Sequence, residues 1–188
     1  MDQSNSQHRT PGRPRTSIDS TVFAATLDTV HDLGYNRATV DRIAAAAGVA
    51  KTTIYRRWPT KGALITACLV DSFGELPLKG DDKEADLTSG IRWAAEIISQ
   101  PGFGAAFAGV FTDAINDPQL RDILTTQLQD PYRLALQEAL GLPEDRVLFI
   151  VDVVAGTLLH RFGISGEPMA DQDVETLIDM MVRTARTF

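Results

Sequence analysis

The sequence predicts an all-α fold of about nine helices. Apolar residues recur at helical spacing through most of the chain, and glycine and proline residues divide it into helix-length pieces. No segment alternates between apolar and polar residues for more than a few positions, which argues against strands. A chain of 188 residues, 44% hydrophobic, suits one core or two small cores that share a boundary.

The residue pattern of the N-terminal part predicts an arm followed by four helices. Residues 1–16 are polar without an apolar period, which is typical of a disordered basic arm. A helix begins near Ser17 and stops at Gly34. Three short segments follow: one with Thr39 as its N-cap and Gly48 as its stop, one from Lys51 to Trp58 ended by Pro59, and one capped by Thr60 that runs to about Phe73.

The rest of the chain predicts a helical body after a charged loop at residues 75–86, which also marks a module boundary. Asp117 and Pro118 form a cap and first-turn pair, and Pro131 must kink or restart that helix. The expected domains are an arm at 1–16, a domain of short helices at 17–66 and a C-terminal domain at 67–188. The expected helices of the body are about 86–99, 103–115, 118 onward through the kink, 144–164, and one from Asp171 or Asp173 to the end.

Charge is distributed unevenly along the chain. Residues 1–66 carry nine basic and five acidic residues, a net charge of +4, whereas residues 67–188 carry nine basic and twenty acidic residues, a net charge of −11. A basic N-terminal third on an acidic body indicates a small nucleic-acid-binding module, with the body repelled by DNA.

Cysteine usage and hydropathy predict a cytoplasmic protein. Cys68 is the single cysteine, so no internal disulfide can form, which fits a reducing compartment. We expect no apolar run of membrane-spanning length, and the polar N-terminus lacks the apolar stretch of a secretory signal.

The third helix presents a face suited to a DNA groove. With Ile54 facing the core, Trp58 lies about 40° away and also faces inward, because each residue turns the helix by about 100°. Thr52 and Arg56 point about 160° away from the core. Thr53 and Tyr55 lie on the flanks, and Lys51 and Arg57 can extend outward on long stems.

At these positions the sequence resembles the DNA-binding signature of the TetR family of regulators over residues 18–66. The matching positions are Gly34-Tyr35, Thr39-Val40, Ile43-Ala44, Ala47-Gly48-Val49, Lys51, Thr53-Ile54-Tyr55, Trp58-Pro59, Lys61 and Ala63-Leu64. The resemblance implies an all-α homodimer in which three N-terminal helices bind DNA. It also implies a C-terminal body that dimerises and often binds a small molecule.

The resemblance also implies roles for individual residues. Thr39, Tyr55 and Lys61 match residues that contact phosphates, the first at a helix N-terminus. Lys51, Thr52 and Thr53 match the start of the recognition helix, and Arg56 and Arg57 occupy a pair where a second aromatic residue is common. Arginine there favours guanine or phosphate readout.

Two further departures concern helix starts. Ala50 stands where serine is common, so the third helix is expected to lack its side-chain cap. Gly62 replaces a common glutamate and is expected to loosen the start of the fourth helix.

The arm contains Pro11-Gly12-Arg13-Pro14-Arg15, which resembles a short minor-groove-binding motif known as the AT-hook. Arg13 and Arg15 would enter a narrow A·T-rich groove. The alternative, a charged tail that adds non-specific attraction, is equally compatible with the sequence.

In the body, Phe103, Phe107 and Phe111 form one stripe along a helix, and Trp93 lies in the preceding helix. These aromatic residues either pack the core or line an apolar ligand pocket. Asp152, His160 and Arg161 interrupt the long apolar helix and are assigned to an interface or to solvent rather than to a ligand.

Two apolar stripes are candidates for a two-fold dimer interface, although both could instead serve the core of the chain. They comprise Val151, Ala155, Gly156 and Leu159 in the long helix, and Val174, Leu177, Ile178 and Met181 in the last helix. A dimer would read an inverted repeat in double-stranded DNA, with its recognition helices roughly 34–36 Å apart.

The sequence favours a repressor released by a small apolar or aromatic ligand over an enzyme, and one other function stays compatible with it. An enzyme is not supported, because His8, His31 and His160 are dispersed and no phosphate loop, metal-ligand spacing or nucleophile motif occurs. No metal or cofactor is therefore expected. A DNA-binding or architectural factor without a small-molecule effector stays open, and so does the direction of regulation.

Overall fold

Residues 15–188 form ten α-helices with no strand among them in this computed structural model, which describes side chains from Ile18 onward. A 3₁₀ turn at Tyr35–Arg37 lies between the first two helices. The helices are α1 Arg15–Leu33, α2 Val40–Ala47, α3 Lys51–Arg57, α4 Lys61–Phe73, α5 Lys83–Ile98, α6 Phe103–Ala114, α7 Pro118–Leu124, α8 Asp130–Leu140, α9 Glu144–Ser165 and α10 Asp171–Ala185.

The predicted caps explain where the short helices begin. The Thr39 hydroxyl accepts a hydrogen bond from the Arg42 amide at 3.4 Å, and Gly48 closes α2 in the left-handed conformation at φ 64°. Thr60 caps α4 and Asp117 caps α7 in the same way. These caps confirm the sequence prediction, while α1 begins at Arg15, two residues before the expected start.

Pro131 produces the irregularity that the sequence predicts. Proline has no amide hydrogen to donate to the carbonyl four residues earlier, and its ring collides with that carbonyl. The chain accommodates this by widening into a π-helical turn at Thr125–Gln129 between α7 and α8. If α7, the turn and α8 are taken as one kinked helix, the described part of the chain has the nine helices expected.

The loop before α5 is shorter than predicted. Asp82 accepts hydrogen bonds from the Glu84 and Ala85 amides and so begins the helix at Lys83. Asp86, expected in the loop, is a buried residue of α5 whose carboxylate accepts hydrogen bonds of 2.7 Å from the Lys79 and Gly80 amides. The carboxylate therefore fastens the loop to the body.

Two hydrophobic cores organise the described residues. A small core holds α1 to α4 together through Val22, Val40, Ile43, Ala44, Ile54 and Leu64, with Trp58 packed beside them. A larger core fills the body and also includes residues of the N-terminal helices: Val30, Ala38, Ile65 and Leu69. Because α1 and α4 contribute to both cores, the two parts of the chain share apolar contacts.

α10 uses its apolar stripe inside the chain. Val174, Leu177, Ile178 and Met181 are at most 7% exposed and belong to the large core. Paired hydrogen bonds from Arg92 to Glu175 and from Arg186 to Glu84 fasten α10 to α5. The prediction that this stripe forms a dimer interface therefore fails for these four side chains, because α5 already covers them.

α9 departs from the expectation that no apolar run is long enough to span a membrane. Its 22 residues suffice for a span by length and composition. Only 22% of the apolar stretch is buried, and Val147, Ile150, Val154 and Leu158 from its inner side pack in the large core. The apolar residues on the inner side of α9 therefore belong to the core of the body, as in any helix of a helical bundle.

Candidate nucleic-acid interface and internal cavity

α3 exposes the face that its sequence predicts. Ile54 is only 1% exposed and anchors α3 in the small core, and Trp58 packs on Phe23 with ring centres 5.3 Å apart. On the outside, Lys51, Thr52, Tyr55 and Arg56 are exposed and Thr53 is half-buried. This surface offers hydroxyls, a methyl group and a guanidinium, the groups that read base edges in a major groove.

The start of α2 offers a second contact surface. Thr39 is exposed at the N-terminus of α2, where amide groups and the helix dipole attract anions such as phosphate. Lys51, at the start of α3, pairs with Asp41 of α2 at 2.6 Å, and both side chains are about half exposed. An exposed pair of this kind is weak, so a DNA phosphate can replace Asp41 as the partner of Lys51.

The start of α3 lacks a side-chain cap because alanine has no hydrogen-bonding side chain. Ala50 occupies the N-cap of α3 without making a side-chain hydrogen bond, as the sequence predicts. The Thr53 amide reaches only the Ala50 carbonyl at 2.8 Å. The first turn of α3 therefore retains amide groups that can face a phosphate.

Arg57 and Lys61 are half-buried and engaged with partners from distant segments of the chain, whereas the Lys51–Asp41 pair is exposed. The Arg57 guanidinium forms an ion pair with Asp19 of α1 and is largely buried. The Lys61 ammonium donates to the Tyr35 carbonyl at 2.5 Å and lies 3.7 Å from the centre of the Tyr35 ring. Burial lowers the pKa of Lys61, although Asp113 opposes this shift. Sequence reasoning missed these partners because they come from distant segments.

Gly62 has a packing role that the sequence analysis did not anticipate. It is buried, and a Cβ there would lie 2.8 and 2.9 Å from the two Cδ atoms of Leu120. The missing side chain lets α4 approach α7 closely. The expected loosening of the α4 start therefore gives way to tight packing between the N-terminal helices and the body.

The remaining expected DNA contacts lie in the arm. Arg13 lies outside the described residues, and of Arg15 only the backbone, at the start of α1, is described. Their role in a minor groove stays a prediction.

The body contains a cavity of about 710 Å³ that is partly open to solvent and has predominantly apolar walls. Trp93, Phe107 and Phe111 line it, as expected, but Phe103 does not, because it is fully buried behind Phe73 and Phe107. Phe73 and Tyr132 complete the aromatic wall: the Phe73 ring centre lies 5.2 Å from that of Trp93 and 5.5 Å from that of Tyr132.

Phe73 and Tyr132 were not predicted as cavity residues, because the sequence around each one indicated only where a helix ends or breaks. Phe73 ends the fourth predicted helix, and Tyr132 follows the proline that was read as a helix breaker. The signal available in the sequence was an aromatic residue at each of these helix ends. The Tyr132 hydroxyl donates to the Gly74 carbonyl at 2.7 Å, so the two segments meet at the cavity.

Few polar groups line the cavity. Arg121 donates from one guanidinium nitrogen to the carbonyls of Ala114 and Ile115 at 2.7 Å, which holds it at the end of α6. Asp152 of α9 is exposed, in line with its expected position at an interface or in solvent, and it also contributes to the cavity lining. Mostly apolar walls with a few placed polar groups are typical of sites for small organic ligands.

The apolar stripe of α9 that was predicted for a dimer interface faces the cavity. Val151, Ala155, Gly156 and Leu159 of α9 all line it. Gly90 of α5 lies on the wall as well. Apart from atoms of the glycine's own stretch of helix, nothing lies within 4 Å of where a Cβ would be on Gly90 or Gly156. Glycine in the middle of a helix lowers the stability of that helix. At these two positions the missing side chain leaves room in the cavity.

A helix-turn-helix near the start of an all-α chain, joined to a helical body with an apolar cavity, defines a DNA-binding regulator of transcription. The family model for bacterial regulatory proteins of the tetR family matches residues 22–68, and that for the tetracyclin repressor-like C-terminal domain matches residues 79–181. The chain belongs to the tetR family, whose members regulate transcription and are not enzymes.

Relatives and solved structures agree with this assignment. The chain is 32% identical over 176 residues to the DNA-binding transcriptional repressor TetR of Mycobacteroides abscessus, covering 84% of this chain and 88% of that protein. It is 28% identical over 188 residues to an uncharacterized HTH-type transcriptional regulator of Mycobacterium tuberculosis, covering 94% and 90%. A TetR transcription regulator from Haloarcula marismortui has the same fold, with a TM-score of 0.69 at 18% identity over 92% of this chain and 98% of that one.

Proposed function

We propose that this regulator is a cytoplasmic repressor that binds an inverted-repeat operator as a homodimer and is released by a small apolar or aromatic ligand. The observation that carries the proposal is the presence in one chain of an exposed reading face on α3 and an aromatic-walled cavity of about 710 Å³. Residues 67–188 carry a net charge of −11 against +4 for residues 1–66, so DNA repels the body, which favours approach through α2 and α3.

Within this proposal, α3 lies in the major groove. Thr52, Thr53 and Arg56 read base edges, since they occupy the outer side and flank of the helix. Thr39, Lys51 and Tyr55 hold the phosphates beside them. Arg57 supports α3 through Asp19. Arg13, and Arg15 at the start of α1, enter an adjacent minor groove in this proposal.

Selection of bound DNA from a random pool tests the reading face. The wild-type protein should select an inverted repeat whose half-sites are about one helical turn apart. Arg56→Ala should relax the preference at one position per half-site, because a lost guanine contact costs about 1–3 kcal/mol. Lys51→Ala should instead weaken all sequences and lower the salt slope by about 0.9 for each phosphate released. An unchanged motif with Arg56→Ala would show that Arg56 does not read bases.

The arm can be tested on the same operators. Deletion of residues 1–15 should weaken binding chiefly on operators with A·T-rich flanks if Arg13 and Arg15 enter the minor groove. Equal weakening on every flank would identify the arm as a non-specific charged tail.

The outward side of α9 and α10 is the surface that we propose for the dimer. Phe149 and Ile164 of α9 are 47% and 78% exposed, and Met180 of α10 is 59% exposed. A second copy would cover these apolar side chains across a two-fold axis. Ile164→Glu should raise the dimer dissociation constant in sedimentation, whereas Leu134→Glu, an exposed leucine of α8, should not. A monomeric wild-type protein at micromolar concentration, with and without DNA, would contradict the dimer.

The cavity can be tested with N-phenyl-1-naphthylamine, an apolar aromatic dye whose fluorescence rises in apolar surroundings. Gly90→Phe should block the dye by filling the space beside α5, while Gly90→Ala adds one methyl group and should retain binding. Bound dye should reduce operator affinity by no more than its preference for the DNA-free state. Dye that binds in the cavity without changing operator affinity would favour a regulator without a small-molecule effector.

A further inference from the structure

The turn before α2 is fastened to the body by one tyrosine. The Tyr35 ring lies against Gly109 of α6, so closely that a Cβ on Gly109 would overlap it. The Tyr35 hydroxyl donates to the Asp113 carboxylate at 2.5 Å, one helical turn further along α6. Burial, and then the Asp113 hydrogen bond, raise the pKa of the Tyr35 phenol above its ordinary value.

Lys61 ties α4 to the same tyrosine. Its ammonium donates to the Tyr35 carbonyl and lies 3.7 Å from the ring centre, on the first residue of α4. Tyr35, Lys61, Gly109 and Asp113, here called the Tyr35 joint, therefore connect α4 and α6 to the turn that leads into α2.

α6 carries the joint and the cavity wall on opposite sides. Gly109 and Asp113 are four residues apart and share one side of the helix. Phe107 and Phe111 are each two residues before them, which places them about 200° around the helix, and both line the cavity. A molecule in the cavity that displaces α6 therefore also moves Gly109 and Asp113, the residues that Tyr35 contacts on the other side of the helix.

We propose that Tyr35 is a positioning residue that sets the orientation of α2 and α3 on the body and conveys the position of α6 to them. The second part rests on the proposed ligand-released repressor. Under this proposal Lys61 stabilises the joint instead of holding a DNA phosphate, because its ammonium is already bonded within the chain.

The first experiment measures affinity for the selected operator without any ligand. Asp113→Ala and Tyr35→Phe should each lower affinity by roughly fivefold or more, the lower end of typical coupling between sites. The double variant should lose little more than either single variant, because both remove one hydrogen bond. Asp122→Ala, at an exposed aspartate of α7 without a side-chain partner among the described residues, should leave affinity unchanged.

Three readouts separate positioning from direct contact. The selected DNA motif and the salt slope should stay the same in Tyr35→Phe and Asp113→Ala, because neither removes a base or phosphate contact. Lys61→Ala should also retain the wild-type salt slope. Unchanged affinity in both joint variants, or additive losses in the double variant, overturns the proposal. A slope reduced by about 0.9 or more in Lys61→Ala overturns the assignment of Lys61 to the joint.

Gly109→Ala tests the close packing without removing any hydrogen-bonding group. The added Cβ should displace the Tyr35 ring and reduce operator affinity. In a Tyr35→Ala background the same change should have no effect on affinity, since the ring it would meet is gone. A loss of equal size in both backgrounds overturns the role of the ring, and circular dichroism confirms that each variant is folded.

A cavity-filling change then separates this inference from the proposed function. Gly90→Phe serves as a fixed occupant, and its effect on operator affinity should shrink in the Tyr35→Ala background. If Gly90→Phe has no effect in the wild-type background while the joint variants lose affinity, the ligand-released mechanism fails and the positioning role stands. If the Gly90→Phe effect persists in full without Tyr35, the joint is not the route of coupling.

Discussion

At the scale of single residues, Thr66 of α4 carries an unmet polar group. It is fully buried, and its hydroxyl has no hydrogen-bond partner among the described residues. Thr26 of α1 is equally buried, but its hydroxyl donates to the Val22 carbonyl at 2.7 Å. A buried hydroxyl without a partner lowers stability because it loses its bonds to water.

Thr66→Val should therefore stabilise the protein by about 1 kcal/mol, because leaving a buried polar group unpaired costs about 1–3 kcal/mol. Valine has nearly the same shape and the same branching at Cβ. Urea unfolding measures the change, with Thr26→Val as the control that removes a satisfied hydroxyl. Equal destabilisation by the two substitutions would show that Thr66 has a partner in solution.

Cys68 is a structural residue of α4 and not a reactive one. Its side chain is buried in contact with the Phe23 carbonyl, with Sγ at 3.5 Å from the oxygen. Burial raises the pKa of the thiol to about 12, with a smaller contribution from Asp71.

Iodoacetamide should therefore leave Cys68 unmodified in the native protein at pH 8 and label it after unfolding in urea. At a pKa of about 12 only about one thiol in 10⁴ is the reactive thiolate at that pH. Mass spectrometry gives the labelled fraction at each urea concentration. Rapid labelling of the native protein would indicate that this part of α4 opens readily.

At the scale of helices, the contact between α4 and α7 depends on a residue without a side chain. Gly62 lets α4 approach Leu120, which is 4% exposed and belongs to the large core. This contact joins the helix that follows the recognition helix to the body. It explains why glycine is tolerated in the first turn of α4 despite its low helix propensity.

Gly62→Ala should destabilise the protein by about 1–2 kcal/mol, because the new Cβ forces Leu120 to move in a packed core. The same change in a Leu120→Ala background should be neutral or stabilising, since the space is then free and alanine favours the helix. Urea unfolding of the four proteins gives the coupling energy. Additive effects would show that the two residues do not meet.

At the scale of the whole molecule, some buried residues of the N-terminal part pack in the core of the body and not in the small core. Val30 and Ala38, with Ile65 and Leu69 of α4, are at most 1% exposed and pack in the large core of the body. Separation from the body would uncover these apolar side chains. Burying one such side chain is worth about 1.5–3 kcal/mol, so their exposure is costly.

A fragment that ends at Phe73 should consequently lose helical content and cooperative unfolding, whereas the full chain should unfold in a single transition. Circular dichroism during heating compares the two. A fragment that melts cooperatively at the temperature of the full chain would contradict the shared core.

The sequence by itself determined most of the helices, the caps of α2, α4 and α7, and the exposed face of α3. These features depend on neighbours within a few residues: the period that buries Ile54, the Thr39 and Thr60 hydroxyls at helix starts, and the missing amide hydrogen of Pro131. The reading face followed because the inward position of Ile54 fixes where Thr52 and Arg56 point.

The tertiary structure decided which distant segments meet. The apolar stripe of α10 could have faced a second copy or the body, and only packing on α5 assigned it to the body. The fold also brings the Tyr35 carbonyl to the Lys61 ammonium, and α7 gives Gly62 its role. The cavity gathers Phe73, Trp93 and Tyr132 from three helices. Periodicity identifies the side of a helix that is apolar but not the partner that covers it, because that partner depends on contacts between residues far apart in the chain.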